Sequence, residues 1–146
     1  MTTEQTTARK VLIADDDESV RSVLRDLLEG EGYSVTEAKS GTEVLTMLAK
    51  GGGVSLLLMD VRMPGVDGLE VLDRLRKSSN ETPVIMITAH ATATVGIQAM
   101  QRGAYDYLTK PFEVDEVLLL VDRLFEHQAL ASKVRTLEAS RPGDSR

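Results

Sequence analysis

The chain has 146 residues, 42% of them hydrophobic and 3% aromatic, with no cysteine and a formal charge of −6. That length suffices for one domain with a core of its own, while the cysteine count excludes a disulfide framework and the acidic balance argues against direct nucleic-acid binding. No apolar run approaches the roughly 18 residues of a membrane span, and residues 1–10 lack the apolar core of a signal peptide, so a cytoplasmic protein is expected.

Residues 1–8 are Thr-rich and are expected to be disordered. Val11-Leu12-Ile13-Ala14 is a short apolar run ending in Asp15-Asp16-Asp17 and reads as a buried strand. Val20, Val23, Leu24, Leu27 and Leu28 then repeat at i, i+3, i+4, i+7 and i+8, which predicts an amphipathic first helix stopped by Gly30 or Gly32. Asp17 is the natural N-cap of that helix. Residues 33–38 alternate and are rich in β-formers, as in an edge strand. Ser40-Gly41-Thr42-Glu43 has capping-box spacing and opens a second helix, with Val44, Leu45 and Leu48 facing inward. Gly51-Gly52-Gly53 ends it.

The central stretch is Leu56-Leu57-Leu58-Met59-Asp60, followed at once by the turn residues Pro64-Gly65. An apolar run bounded in this way predicts a strand buried on both faces, with Asp60 at its carboxyl end. A third helix is predicted over about 68–77, with Leu69, Leu72 and Leu75 on one side. Pro83 opens a fourth strand, 84–87, which ends at Thr88. The fourth helix, about 92–102, is poorly specified: Gly96 lies inside it, and Thr92, Thr94 and Val95 are β-branched. Residues 105–109 form a fifth strand ending at Lys110-Pro111, and a strongly apolar fifth helix starts near Val114. Beyond it, Leu120, Leu124, His127, Ala131 and Val134 recur at about 3.5 residues, flanked by Leu130 and Leu137, as in a short coiled-coil seam. Residues 141–144 are expected to be disordered.

Five alternations of strand and helix imply βαβ units and a parallel sheet. Right-handed crossovers make the doubly wound, flavodoxin-like order 2-1-3-4-5 the natural arrangement. In that order the strands ending at Asp15, Asp60, Thr88 and Lys110 are neighbours. Asp15, Asp16 and Asp60 would then be three carboxylates close together. At 4 Å and an effective dielectric of 20, each like-charge pair costs on the order of 4 kcal/mol. A hard divalent cation such as Mg2+ offsets that cost through oxygen ligands. Lys110 adds a positive charge and Thr88 a hydroxyl. A carboxylate nucleophile with a metal, a lysine and a hydroxyl suits in-line phosphoryl transfer onto Asp60. Singly, each residue has a plainer explanation as a cap, a strand exit or a β-former. Their joint placement does not, because clustered carboxylates oppose folding. Two other readings of the fold are weaker. A phosphatase needs a second acid, which no residue near Asp60 in sequence offers. A flavin or nucleotide site needs a Gly- or Ser/Thr-rich loop after the first strand, where Asp15-Asp16-Asp17 stands instead.

The segments VLIADDDESVR, LLLMDVRMPGVDGLE, VIMITAH and AYDYLTKPF resemble the motifs of bacterial response-regulator receiver domains over roughly residues 9–126. The resemblance implies a CheY-like form of that fold, Asp60 as phosphoacceptor, and Mg2+ held by Asp15, Asp16, Asp60 and the backbone carbonyl of Arg62. It implies that Thr88 and Lys110 bind phosphoryl oxygens, that Lys110-Pro111 is cis, and that Tyr107 is the switch aromatic. Such a domain is a regulatory phosphoacceptor served by a sensor histidine kinase, not an enzyme acting on outside substrates. DVRMPGVDG, TAH and AMQRGAYDYLTKPF more narrowly resemble receivers of NtrC-type activators, which carry an ATPase and a DNA-binding domain after the receiver. Neither is present, so the chain reads as a receiver fragment or a stand-alone receiver, with 127–146 as the start of a linker. The seam predicts a homodimer through the fifth helix and its extension.

Overall fold

The computed structural model describes residues 9–89 and 93–140, with backbone alone for 93 and 131–140. Five strands, β1 (Lys10–Ala14), β2 (Ser34–Ala38), β3 (Val54–Asp60), β4 (Val84–Thr88) and β5 (Asp106–Thr109), form one parallel sheet in the order β2-β1-β3-β4-β5. Five helices alternate with them: α1 (Glu18–Gly30), α2 (Gly41–Ala49), α3 (Gly68–Lys77), α4 (Ala93–Gln101) and α5 (Val114–Ser140). This is the expected order and helix count. The disorder expected for 1–8 and 141–144, and His90 of the TAH motif, lie outside the described residues.

The central strands are buried on both faces, which explains why they read as continuous apolar runs rather than alternating ones. Leu12, Ala14, Leu57, Met59, Val84 and Met86 point to one face, where Val44 and Leu48 of α2, Val71, Leu72 and Leu75 of α3 and Ala99 of α4 join them in one cluster. The intervening residues Val11, Ile13, Leu56, Leu58, Ile85 and Ile87 point the other way and are equally buried. Helix α1 packs on β1 and β2.

The expected caps are in place. Asp17 accepts from Ser19 N at 2.8 Å. Ser40 Oγ accepts from Glu43 N at 3.2 Å, and Glu43 reaches back to accept from Lys39 N at 2.8 Å.

The expected inward stripe of α1 is corrected at one position. Val23 is exposed, and Arg21 is buried with Leu24 and Leu28. At about 100° per residue, Arg21, Leu24 and Leu28 lie within about 60° of one another, while Val23 lies about 130° from the middle of that face. The longer apolar spacing drew the stripe one residue too wide.

Residues 113–146 form a separate compact unit that contains α5. Its described buried residues are Val117, Val121, Leu124 and Phe125, whereas Leu119 and Leu130 are exposed. The helix is continuous to Ser140, slightly beyond the extension to about Leu137 that the seam suggests.

Candidate functional site

The carboxyl ends of β1, β3, β4 and β5 meet at one edge of the sheet, and register brings their polar residues together. Ala14 pairs with Met59, Asp60 with Ile87 and Thr88 with Thr109. Asp15 and Lys110 come immediately after their strands. Asp15, Asp16 and Asp60 each present a carboxylate oxygen within 4.8 Å of the others. Asp15 and Asp60 are buried and Asp16 is exposed, so the cluster opens to solvent on the Asp16 side.

Lys110 holds the cluster together. Its Nζ donates to Asp15 Oδ2 at 2.9 Å and to Asp60 Oδ2 at 3.0 Å. Its backbone N–H donates to the carbonyl of Thr88 at 2.7 Å, tying the end of β5 to the end of β4. Thr88 is buried, and the Lys110-Pro111 peptide is cis. The N–H of Arg62 donates to Asp60 Oδ1 at 3.1 Å, which places residue 62 beside the Asp60 carboxylate. Tyr107 lies two strand positions from Thr109, partly exposed, with its ring against Gly96 of α4.

Burial raises the pKa of Asp60 most, and the neighbouring Asp15 charge adds to it. The hydrogen bond and charge of Lys110 and the N–H of Arg62 pull it back, leaving a net rise. Burial pulls the Lys110 ammonium down, but its bonds to Asp15 and Asp60 outweigh that and hold its pKa above the usual value. One ammonium thus serves two carboxylates, with a third alongside.

The donor set suits a hard divalent cation: Asp15, Asp16 and Asp60 all offer carboxylate oxygens, and the carboxylates lack enough positive charge among them. A cation here would be held by Asp15, Asp16 and Asp60. Oxygen ligands, an exposed rim and a lysine at the site can accept a tetrahedral anion beside Asp60.

All the residues singled out from the sequence come to this edge except Tyr107, which sits behind it against α4. Three residues that the sequence reading passed over also shape the site. Gly68 N donates to Val61 O at 2.7 Å, and a Cβ at position 68 would stand 2.5 Å from the Asp60 carbonyl oxygen. Only glycine lets α3 begin so near the strand end. Arg21, which is buried, pairs with the partly exposed Glu37 and donates to the carbonyl oxygen of Asp15. A charged residue in phase with Leu24 and Leu28 was the available signal for Arg21.

The family model for the response regulator receiver domain matches residues 11–122. The chain is 41% identical over 132 residues to the DNA-binding transcriptional regulator NtrC of Salmonella typhimurium, a match covering 90% of this chain and 28% of that protein. It is 50% identical over 108 residues to the transcriptional regulatory protein YkoG of Bacillus subtilis, covering 74% of this chain and 47% of that protein. A receiver domain of a Francisella response regulator superposes with a TM-score of 0.77 at 35% identity, covering 82% of this chain and 98% of that one. The chain therefore belongs to the response regulator receiver domain family, the phosphorylation switches of two-component signalling, and within it is similar to the receivers of NtrC-type regulators.

Proposed function

We propose that Asp60 accepts a phosphoryl group from the phosphohistidine of a sensor histidine kinase, with Mg2+ held by Asp15, Asp16, Asp60 and the Arg62 carbonyl. The observation that carries this reading is the bridging of Asp15 and Asp60 by Lys110 at the end of the central buried strand. An Asp60 carboxylate oxygen forms the new P–O bond while the P–N bond to imidazole breaks. Solvent supplies the proton that the departing imidazole takes up. Lys110 is placed to turn from Asp60 to a phosphoryl oxygen, keeping its charge beside the group that carries most negative charge. Thr88, at the end of the adjacent strand, supplies a hydroxyl to another phosphoryl oxygen. When bound, a cation would offset the repulsion among the carboxylates and draw negative charge from the transferring phosphoryl group.

The output depends on the same geometry. Drawing Thr88 toward the phosphoryl group opens room behind it, and Tyr107 moves from its partly exposed position toward that room. The surface of α4, β5 and α5 changes with it, which is the signal passed on. The chain spans about a quarter of the NtrC relative, so a transcription-activating ATPase with a DNA-binding domain is the output we propose. A homodimer through α5 and its extension is the assembly we propose. Residues 9–126 would be the receiver and 127–146 the start of the linker. Among the described residues no helix is long and apolar enough to cross a membrane, in keeping with a cytoplasmic location.

The test is incubation with Mg2+ and acetyl phosphate, read by intact mass. One added phosphoryl group that disappears in Asp60→Asn and without Mg2+ supports the reading. Uptake at the wild-type rate by Asp60→Asn would show the acceptor to be elsewhere.

A further inference from the structure

We infer that Arg21 is a positioning residue for the cation site: anchored by Glu37 of the edge strand, it fixes the main chain of Asp15 and so aims the acidic pair of the β1–α1 turn. The inference rests on the proposed reading of Asp15 and Asp16 as cation ligands.

Arg21 is 6% exposed, although α1 is a surface helix and its solvent side could have accommodated the charge. Burying a guanidinium is costly unless every donor direction is used. Its Nη1 donates to the carbonyl oxygen of Asp15 at 2.7 Å, and its Nε donates to Glu37 Oε1 at 2.8 Å. Glu37 also accepts from Arg25 Nη1, and Arg25 Nη2 donates to Val35 O at 3.1 Å, so Glu37 is itself held on β2. The Arg21 bond holds the Glu37 carboxyl below its usual range, with Arg25 adding to the effect against a smaller loss from burial.

The effect at Asp15 is to secure both polar groups of one residue's main chain. Its N–H donates to Ala38 O at 3.1 Å, and its carbonyl accepts from Arg21. The side chain is fixed as well: Oδ1 accepts from Asp17 N at 2.9 Å and Oδ2 accepts from Lys110. Residue 16, the exposed member of the cluster, hangs between the secured Asp15 and the capping Asp17. Its direction is set by those two neighbours.

The contribution is one of geometry rather than of field. Arg21 and Glu37 cancel as a pair, so they add little net charge to the cluster. Groups behind metal ligands typically change affinity by about 10- to 100-fold when removed, because they hold the ligand direction against the competing freedom of the chain. The same expectation applies here to a main-chain tie.

The test uses the full chain and four forms: wild type, Arg21→Met, Arg21→Lys and Arg76→Met. Arg76 is the matched control, since it too donates from a partly buried position to backbone carbonyls, those of Asn80, Thr82 and Gly103, away from the cluster. Mg2+ binding is read by titration calorimetry and folding by thermal melts without metal. Arg21→Met should bind Mg2+ about tenfold more weakly, Arg21→Lys should lie between it and wild type, and Arg76→Met should melt earlier with its Mg2+ affinity kept. Phosphoryl uptake by Arg21→Met should recover at saturating Mg2+, because Asp60 itself is untouched.

Equal affinity in wild type and Arg21→Met would overturn the inference. So would an equal loss in Arg76→Met, which would reduce the effect to general loosening. Should Arg21→Met fail to fold, Arg21→Lys decides, and wild-type affinity there overturns it. A wild-type chain that binds no Mg2+ at all would instead sink the reading of the site, and this inference with it.

Discussion

Gly96 of α4 lies directly beneath the ring of Tyr107: a Cβ at position 96 would stand 2.7 Å from Cζ and 2.9 Å from Cε1 of that ring. The ring also borders a shallow apolar groove with Ile97 and Met100. Gly96 weakens the helix but gives the aromatic ring its outer seat. Gly96→Ala adds about 1 kcal/mol of helix propensity and at the same time removes the seat. Stability is therefore a poor readout, since the two effects oppose one another. Ring position is the better one. Ring resonances of Tyr107 in Gly96→Ala should shift without a phosphate mimic toward those that wild type shows with one. An unmoved ring would break the proposed link between α4 and Tyr107.

Asp60→Asn should raise stability in the absence of divalent cations, besides abolishing phosphoryl uptake. The sign comes from the raised pKa of Asp60, whose largest cause is burial. Between its ordinary value of 3.8 and its higher folded value, the folded state binds the proton more tightly than the unfolded chain does. Stability from this group is thus lost as pH rises through the folded pKa. Asparagine has no such proton to lose. Urea midpoints at neutral pH without metal check the direction, and a lower midpoint for the variant would contradict it.

Gly68→Ala should damage fold and site together. The new Cβ would meet Asp60 O at 2.5 Å and Val61 Cα at 2.9 Å, both main-chain atoms that cannot swing aside, as well as Met86 Cε at 2.9 Å. Overpacking of this kind costs about 1–3 kcal/mol. Moving the Asp60 peptide also disturbs the Arg62 N–H bond to its carboxylate, so phosphoryl uptake should slow even well below the melting temperature. An unchanged uptake rate would show that the strand end is softer than these contacts imply.

Glu37 carries the opposite pH dependence. Its folded pKa lies below the ordinary 4.5, with the Arg21 hydrogen bond as the largest cause, followed by an opposing burial effect and then the Arg25 bond. The unfolded chain binds that proton more tightly, so the contribution is present above about 4.5 and is lost as pH falls through the folded value. Glu37→Gln should therefore lower the urea midpoint at pH 7 and much less at pH 3. Solvent reaches part of this cluster, and the difference should stay within about 1 kcal/mol.

The extension of α5 should make assembly depend on concentration. Leu130 is exposed on the single chain, and burial of such residues in a pair would contribute roughly 25 cal/mol per Å2. Sedimentation of the full chain and of a chain ending at Glu126 should show association only for the former. The shorter chain should still take up a phosphoryl group. A full chain that stays monomeric at high micromolar concentration would remove the proposed dimer.

Much of this protein was legible in its sequence, for two physical reasons. A strand buried on both faces must be apolar throughout, so Asp15, Asp60, Thr88 and Lys110 announced the strand ends simply by ending the runs. Parallel strands joined by helices have few permitted orders, so those ends had to be neighbours. Capping oxygens act within three or four residues, which is why Asp17 and Ser40 could be assigned from spacing. The tertiary structure alone decided what depends on distant partners. The burial of Arg21 and the exposure of Val23 turn on a rotation of α1 that a broad apolar stripe does not specify. The bond from Lys110 to Asp15 spans 95 residues, and the seats of Gly68 and Gly96 exist only where another element's backbone or ring comes close. Periodicity records which face of an element is buried, but a salt bridge or a missing Cβ takes its meaning from the neighbour that the completed fold brings against it.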